Sequence, residues 1–191
     1  MTMRRSDLRP VSHVDAPPRL AIAEATSLGP VRIRDGRDDD AIGLMTLIAT
    51  VWLEYPDKAF DWDGERATYA TIATGYAGIG GRLWVAEHAG KVVGSVAIAP
   101  AETPGGLELQ KLYVAKPYRC AGLGTRLCEL LELEARLRGA RFIDLWSDVK
   151  LLAAHSLYET IGYRRTGATR TYADVNRTVR YYYRKTLEPS A

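Results

Sequence analysis

Hydrophobic and polar residues along this chain follow two periods, the alternation typical of strands and the spacing of three to four typical of helices. Alternation predicts strands at residues 31–35, 83–87, 92–99, 107–114, 141–146, 163–167 and 179–187. Helical spacing predicts one helix that ends near residue 52, two at 65–76 and 124–138, and one that ends near residue 161. The resulting order, β-α-α-β-β-β-α-β-α-β-β, indicates a domain of the mixed α/β class.

Short polar residues mark where two of these helices are expected to begin. Three consecutive aspartates at residues 38–40 precede the first helix, where they supply a cap and a favourable negative charge. Ser147 or Asp148 is expected to cap the last helix. The segment at residues 169–178 is expected to form a loop between the final two strands.

The strand at residues 107–114 departs from simple alternation. Its apolar residues occupy odd positions first and even positions later, at Leu107, Leu109, Leu112 and Val114. A strand covered on both faces would show this slip, and so would a β-bulge near Gln110 and Lys111. A bulge would release backbone N–H groups from the ladder and turn them towards another partner.

A turn with two glycines joins this strand to the longest predicted helix. The first N–H groups of a helix lack internal partners, and the helix dipole adds positive charge there, so such a turn is suited to an anion. A P-loop is excluded because no Gly-Lys-Ser/Thr follows, and a dinucleotide fingerprint is excluded because its third glycine would fall on Leu127. The spacing present is Arg119-x-x-Gly122-x-Gly124.

That spacing resembles the Arg/Gln-x-x-Gly-x-Gly/Ala motif of the GCN5-related N-acetyltransferase (GNAT) superfamily. A second segment, LYETIGY at residues 157–163, resembles the later Leu-Tyr-Glu-x-x-Gly-Phe/Tyr stretch of that family. The resemblance extends over residues 31–187 and implies the acyl-CoA N-acyltransferase fold, a mixed and largely antiparallel central sheet flanked by helices. It also implies acetyl-CoA as cofactor and co-substrate, with its pyrophosphate held by the amides of the turn.

The resemblance implies which residues bind the cofactor. The amide of Val114 is expected to face the thioester carbonyl, and an asparagine common in the family is replaced here by Leu151, a contact that His155 could replace. The expected set is Leu112, Tyr113, Val114, Arg119, Cys120, Ala121, Gly122, Leu123, Gly124, Thr125 and His155.

Two residues are implied as catalytic groups for acetyl transfer to a primary amine by direct attack. Tyr158 would protonate the departing thiolate, since a phenol keeps its proton at neutral pH. Glu108 would help to remove a proton from the amine, directly or through water. Burial of Tyr158 in the core, and exposure of Glu108 as an ordinary strand carboxylate, are the structural alternatives.

The loop at residues 54–64, EYPDKAFDWDG, places acidic residues among aromatic ones. This combination suits a cationic amine with an apolar body, and the family places acceptor specificity in this region. Glu54, Tyr55 and Trp62 are therefore the predicted substrate-binding residues.

Three other functions remain open from the residues. Cys120 and His155 could form a nucleophilic pair that carries a covalent acyl group. The fold could also serve as a non-catalytic acyl-CoA-binding or regulatory module. A nucleic-acid-linked acetyltransferase would need a clustered basic face, which a net charge of +3 does not favour.

Composition sets the remaining expectations. Hydrophobic residues make up 47% and charged residues 26% of 191 residues, without an apolar run of the roughly 20 residues that a membrane span needs. Two cysteines form no disulfide framework, so a cytoplasmic location is expected. The three histidines show no metal-ligand spacing. Residues 1–30, with four prolines, are expected to be a poorly ordered extension of a domain at residues 31–191. The resemblance is compatible with a homodimer.

Overall fold

The computed structural model describes residues 29–56 and 58–188, so nearly all of the predicted extension lies outside the described residues. These described residues form seven strands: β1 (Arg32–Asp35), β2 (Arg82–His88), β3 (Lys91–Pro100), β4 (Gly106–Val114), β5 (Phe142–Asp148), β6 (Arg164–Thr171) and β7 (Val179–Thr186). Five helices accompany them: α1 (Ala41–Trp52), α2 (Trp62–Ala70), α3 (Ile72–Gly78), α4 (Leu123–Leu137) and α5 (Leu152–Thr160). Short 3₁₀ turns at Asp38–Asp40 and Lys116–Tyr118 precede α1 and α4.

All seven strands form one sheet in the order β1-β2-β3-β4-β5-β7-β6. Every neighbouring pair is antiparallel except β4 and β5, which run parallel from Gly106 opposite Phe142 to Leu109 opposite Leu145. The predicted mixed, largely antiparallel sheet flanked by helices is therefore confirmed.

Two hydrophobic clusters cover opposite faces of the sheet. On one face α4 and α5 pack on the sheet around the fully buried Leu127 and Leu131. On the other face α1, α2 and α3 pack against β2 and β3 around Leu44 and Ile48. The second cluster stops at β4, so the same face of β5, β7 and β6 carries no helix among its core contacts. Among residues 29–56 and 58–188, no helix is long and apolar enough to cross a membrane.

The single helix predicted at residues 65–76 was wrong in extent, because two helices meet at Thr71. Thr71 leaves the helical region with φ −126° and ψ 35°. Asp38, predicted to cap α1, instead accepts hydrogen bonds from the Ala73 N–H (2.8 Å) and the Thr74 N–H (3.0 Å) at the start of α3. The break brings Tyr69, Ile72 and Tyr76 into one buried cluster.

Two boundaries near the end of the chain also differ from prediction. Strand β6 extends into the predicted loop because it pairs with β7 as far as Thr171 opposite Val179. Helix α5 begins at Leu152 rather than directly after Ser147 or Asp148, because both of those residues complete β5. The Asp148 carboxylate instead accepts from the Lys150 N–H at 2.9 Å.

Gly106 permits the close approach that starts the parallel pairing of β4 and β5. A Cβ atom at this position would lie 1.9 Å from Cε2 of the Phe142 ring. A substitution here must move Phe142 or separate the two strands.

We expect Gly106→Ala to lower the free energy of unfolding by about 1–3 kcal/mol, the usual cost of overpacking. Gly75→Ala is the matched control, because Gly75 is in α3 and a Cβ there meets nothing within 4 Å. The control should be neutral or stabilising, since alanine is the better helix former. Urea unfolding of both variants would measure the difference, and equal stabilities would contradict the close approach.

Candidate active site

A β-bulge bends β4 near its end. The partner of β3 residue Ser95 is Tyr113, whereas the partner of Ala97 is Gln110, so β4 contains an extra residue between them. Lys111 adopts a left-handed backbone with φ 52°, and its carbonyl accepts a hydrogen bond from the Ser95 hydroxyl at 2.7 Å. Of the two explanations that the sequence left open, a strand covered on both faces and a bulge near Gln110 and Lys111, the structure shows the bulge.

Beyond the bulge, β4 and β5 separate. Their parallel pairing ends at Leu109 and Leu145, while β5 continues to Asp148. At the end of β4 the Ala115 N–H donates to the Val93 carbonyl (2.9 Å), and Val114 lies opposite Gly94. Because hydrogen-bonded and non-hydrogen-bonded pairs alternate in antiparallel strands, the Val114 N–H points away from β3, into the gap beside β5.

The glycine turn opens α4 next to this gap. Cys120 (φ 59°) and Gly122 (φ 81°) adopt left-handed backbone conformations, and Gly122 occupies the N-cap position of α4. The first N–H groups of the helix, at residues 123–125, have no preceding turn to bind. They are therefore available to an anion, and the helix dipole favours negative charge there.

Gly124 marks where three elements of the site converge. A Cβ atom at this position would lie 3.1 Å from Cδ2 of Leu157 on α5 and 3.9 Å from Cγ2 of Val114 on β4. The start of α4, the end of β4 and the helix that carries Tyr158 therefore meet at one glycine. A larger side chain at Gly124 would crowd Leu157 where these elements meet.

Arg119 joins the turn to two other parts of the chain. Its Nε donates to the Val114 carbonyl at 2.8 Å. Its two terminal nitrogens form a bidentate pair with the Glu54 carboxylate at 2.8 and 2.6 Å. Because the guanidinium is already engaged, the N–H groups of the turn are the groups most available to an anion.

Tyr158 lies in an aromatic cluster beneath the sheet. Its ring centroid is 5.9 Å from that of Tyr163 and 5.8 Å from that of Tyr183. Burial raises the pKa of Tyr158 well above the ordinary value for a phenol, and Cys128 and Tyr113 raise it further. The hydroxyl therefore keeps its proton at neutral pH, as a proton donor must.

His155 and Cys120 lie in different surroundings. The buried His155 Nε2 is 2.9 Å from the Asp148 carbonyl oxygen, and its ring packs against Tyr181 and Tyr183. Burial lowers the pKa of His155. Cys120 is exposed in the turn. The geometry thus gives His155 a packing role and shows no contact between these two side chains in the described part of the chain.

Glu108 lies on the face of β4 opposite to Leu107 and Leu109. Its Oε1 accepts a hydrogen bond from Gln110 Nε2 at 3.1 Å, and the Gln110 amide oxygen accepts from the Tyr76 hydroxyl at 2.8 Å. Burial raises the pKa of Glu108 above its usual range, although the Gln110 hydrogen bond lowers it. A carboxylate with a raised pKa is a stronger base than an exposed one.

The loop between α1 and α2 approaches the same face of the sheet. Lys58 forms a buried ion pair of 2.7 Å with Asp148 at the end of β5. Ala59 exchanges two backbone hydrogen bonds of 2.8 Å with the Asn176 side chain, in the loop between β6 and β7. The two loops therefore meet across the separated ends of β4 and β5.

The predicted acceptor residues are distributed around this loop. Glu54 is bound to Arg119, Tyr55 is half-buried beside Trp52, and Trp62 is 48% exposed. A cavity of about 140 Å³ lies under the loop, lined by Ala49, Trp52, Leu53, Lys58, Ala59, Phe60 and Trp62. Its apolar walls could accommodate a hydrophobic part of an acceptor.

Sequence reasoning missed several residues that shape the site. Ser95 secures the bulge, Asn176 joins the two loops, and Lys58 pairs with Asp148. Their partners lie far away along the chain, so local pattern contains no signal for them. Among residues 29–56 and 58–188, there is no group of three or more His, Cys, Asp or Glu that could hold a metal ion.

A sheet that separates at a bulge, beside a glycine turn at a helix N-terminus, is the arrangement that the resemblance to the acyl-CoA N-acyltransferase class implies. The family model described as Acetyltransferase (GNAT) family matches residues 45–163, more than half of the chain. This chain belongs to that family, whose cofactor is acetyl-CoA.

Two curated relatives are similar over part of the chain. "Probable N-acetyltransferase camello" of Xenopus tropicalis is 39% identical over 85 residues, which is 44% of this chain and 39% of that protein. "N-acetyltransferase family 8 member 2" of Rattus norvegicus is 35% identical over 106 residues, which is 53% of this chain and 47% of that protein. The chain thus spans less than half the length of these relatives.

Solved structures match a larger share of the fold. An acetyltransferase from Streptococcus agalactiae has a TM-score of 0.66 at 25% identity, over 82% of this chain and 98% of that one. A putative acetyltransferase from Salmonella typhimurium, solved with its cofactor acetyl-CoA, has a TM-score of 0.63 at 21% identity, over 84% and 96%. The second likeness concerns the fold alone.

The raised pKa of Glu108 predicts how the stability of the protein depends on pH. The folded state binds the Glu108 proton more tightly than the unfolded chain does, so ionisation above the folded pKa destabilises the protein. We expect Glu108→Gln to stabilise the protein at pH 7–8. This advantage should disappear as the pH falls from the raised pKa of the folded state to the ordinary pKa of a glutamate. Thermal unfolding of both proteins from pH 4 to 8 would measure this, and a pH-independent difference would contradict the raised pKa.

Proposed function

We propose that this chain transfers an acetyl group from acetyl-CoA to a primary amine by direct attack, without an acyl-enzyme intermediate. The observation that carries the proposal is the convergence at Gly124 of the α4 N-terminus, the end of β4 at Val114 and the helix that bears Tyr158. On this proposal, one site would combine an anion cradle, a backbone donor and a protonated phenol.

The residues present fit the cofactor. The N–H groups of residues 122–125 would hold the pyrophosphate, since a helix N-terminus favours anions and Gly124 leaves the space in front of it open. Leu112, Tyr113 and Val114 would line the pantetheine arm along the separated edge of β4. When bound, acetyl-CoA would supply the acetyl thioester that reacts.

Three groups of the chain would assist the reaction. The Val114 N–H would donate to the carbonyl oxygen as negative charge develops there, a contribution of roughly 2.7–4 kcal/mol for a preset donor. Glu108, whose pKa is raised by burial, would accept a proton from the amine directly or through water. Tyr158 would hold the proton that the departing sulfur takes.

The acceptor would enter on the face that carries Glu108, beneath the loop of Glu54, Tyr55 and Trp62. Positioning of the amine would supply much of the rate, since a bimolecular step becomes effectively unimolecular. The cytoplasmic location and the homodimer stay predictions from the sequence.

Acetyl-CoA should stabilise the folded protein. At about a hundred times its dissociation constant, a ligand that binds only the folded state adds roughly 2.7 kcal/mol. We expect a clear upward shift in thermal unfolding, which Gly124→Glu should abolish by placing a carboxylate at the cradle. Gly75→Glu is the matched control, because Gly75 is exposed on α3. The absence of a shift in the wild-type protein would refute the cofactor assignment.

Tyr158→Phe should lower kcat by about 10²–10⁴-fold, the usual contribution of a positioned acid. Tyr163→Phe is the control, because the Tyr163 hydroxyl is also buried in this cluster and has no hydrogen-bond partner in the described part of the chain. The control should keep its turnover. Equal turnover of Tyr158→Phe and wild type across the pH range would contradict the acid role, and cofactor binding without turnover of any amine would favour a non-catalytic module.

A further inference from the structure

Three partly buried arginines lie on the helix-free face of β6 and β7. They are Arg170 on β6, and Arg180 and Arg184 on β7. Arg170 is directly opposite Arg180, and Arg184 follows four residues later on the same face because strand side chains alternate. We call Arg170, Arg180 and Arg184 the arginine row.

Two members of the arginine row are neutralised in the same way. Arg184 forms a bidentate pair with Asp144 at 2.6 and 2.9 Å and lies over the Phe142 ring. Arg170 forms a bidentate pair with Glu102 at 2.7 and 2.9 Å and lies over the Trp146 ring. Each guanidinium therefore has an aromatic ring for its flat face and a carboxylate for its N–H groups.

Arg180 has the ring but lacks the carboxylate. Its guanidinium lies 4.1 Å from the centroid of Tyr172. Within residues 29–56 and 58–188 it makes no side-chain hydrogen bond and no ion pair. It is held flat by the ring, so its N–H groups are oriented for a bidentate ligand.

The nearest acidic groups are already engaged. Asp148, opposite Arg180 in the sheet, pairs with Lys58 at 2.7 Å. Asp174 accepts from the Asn176 and Thr178 N–H groups at 3.1 and 2.9 Å. Against the effect of burial, hydrogen bonds from Thr178 and Asn176 and the charge of Arg180 lower the pKa of Asp174, but no carboxylate in the described part of the chain forms an ion pair with Arg180.

Arg180 lies opposite Asp148 at the end of β5, past Leu145, where the pairing of β5 with β4 has stopped. Burial raises the pKa of Tyr113 to about 12, and the charge of Arg180 acts against that rise. Burial lowers the pKa of Lys111, and Arg180 lowers it further. An anion bound by Arg180 would thus lie near residues 111–114, where β4 separates from β5.

Glu108 lies on the same face as Arg180. The register pairs Glu108 with Asp144 and Asp144 with Arg184, and cross-strand partners share a face. Glu108 is level with Asp144 and Arg180 is level with Asp148, so the two lie about 13 Å apart along the strands. The face therefore offers a carboxylate that can act on an ammonium group through water and, nearer the separated ends of β4 and β5, a guanidinium without a carboxylate partner among the described residues. An acceptor that carries both charges would match it.

We infer that Arg180 determines acceptor specificity by binding a carboxylate of the acceptor, so the acceptors are amines that carry a nearby carboxylate, such as free amino acids. This inference rests on the proposed function and specifies its substrate class. Arg180 acts on substrate binding and takes no part in the proton transfers.

The test compares matched acceptors with saturating acetyl-CoA: leucine against leucinamide, and phenylalanine against phenylalaninamide and phenethylamine. At neutral pH a larger fraction of the amine is unprotonated in the amides than in the amino acids. The decisive quantity is therefore how the preference between the two members of each pair changes from the wild-type protein to the variant. Arg180→Gln should raise KM for the carboxylate acceptors by roughly 10–100-fold, as expected for a lost charge-assisted pair. It should leave kcat and the KM of the neutral acceptors nearly unchanged, and Arg180→Lys should restore part of the loss.

Arg165→Gln is the matched control. Arg165 also stacks on a tyrosine, Tyr181, but it is exposed on the opposite face of β6. It should keep the wild-type preference. A purely structural role for Arg180 would change KM for neutral and carboxylate acceptors alike.

Outcomes separate this inference from the proposed function. Turnover of amines without a wild-type preference for carboxylates, or with a preference that Arg180→Gln retains, would overturn the inference and leave the acetyltransferase intact. If no amine turns over, calorimetry with the same pairs decides. Leucine binding that Arg180→Gln abolishes would support the inference, and equal binding or no binding would overturn it.

Discussion

The separation of β4 from β5 is the constraint on which the site depends. Two neighbouring parallel strands would normally bind each other along their whole length, which would occupy the backbone groups at the end of β4. The extra residue at Lys111 prevents this, and the Ser95 hydroxyl and the bond from Lys111 Nζ to the Tyr69 hydroxyl (2.9 Å) hold the bend on both sides. The open gap, and everything that can bind in it, is therefore a product of one inserted residue.

Charge pairing organises the surroundings of this gap. Glu54 and Arg119 join the loop between α1 and α2 to the glycine turn, and Lys58 joins the same loop to β5. Breaking a buried pair leaves an uncompensated charge, which is strongly unfavourable. These pairs hold the loop against the sheet. Arg180, in contrast, forms no ion pair among the described residues.

The pattern of neighbouring residues in the sequence predicted the structural features that depend only on those neighbours. The odd-to-even slip of apolar residues indicated a bulge as one of two explanations, and the glycine spacing predicted the turn, because each depends on neighbouring residues only. The break at Thr71 depends on Asp38, more than thirty residues away. Glu134, which interrupts the apolar side of α4, is explained by its bonds to Arg82 and Arg138. Likewise, the surroundings of Arg180 could be known only from the strand register, which no local pattern contains.

The bridge between Asn176 and Ala59 has a consequence for how this protein can change. One amide side chain, with two hydrogen bonds to backbone, joins loops that are 117 residues apart in sequence. The Asn176 side chain contacts only backbone atoms of Ala59, so the side chain at residue 59 can vary while the bridge persists. The loop above the separated strands can therefore change at this position while the bulge and the glycine turn beneath it remain as they are.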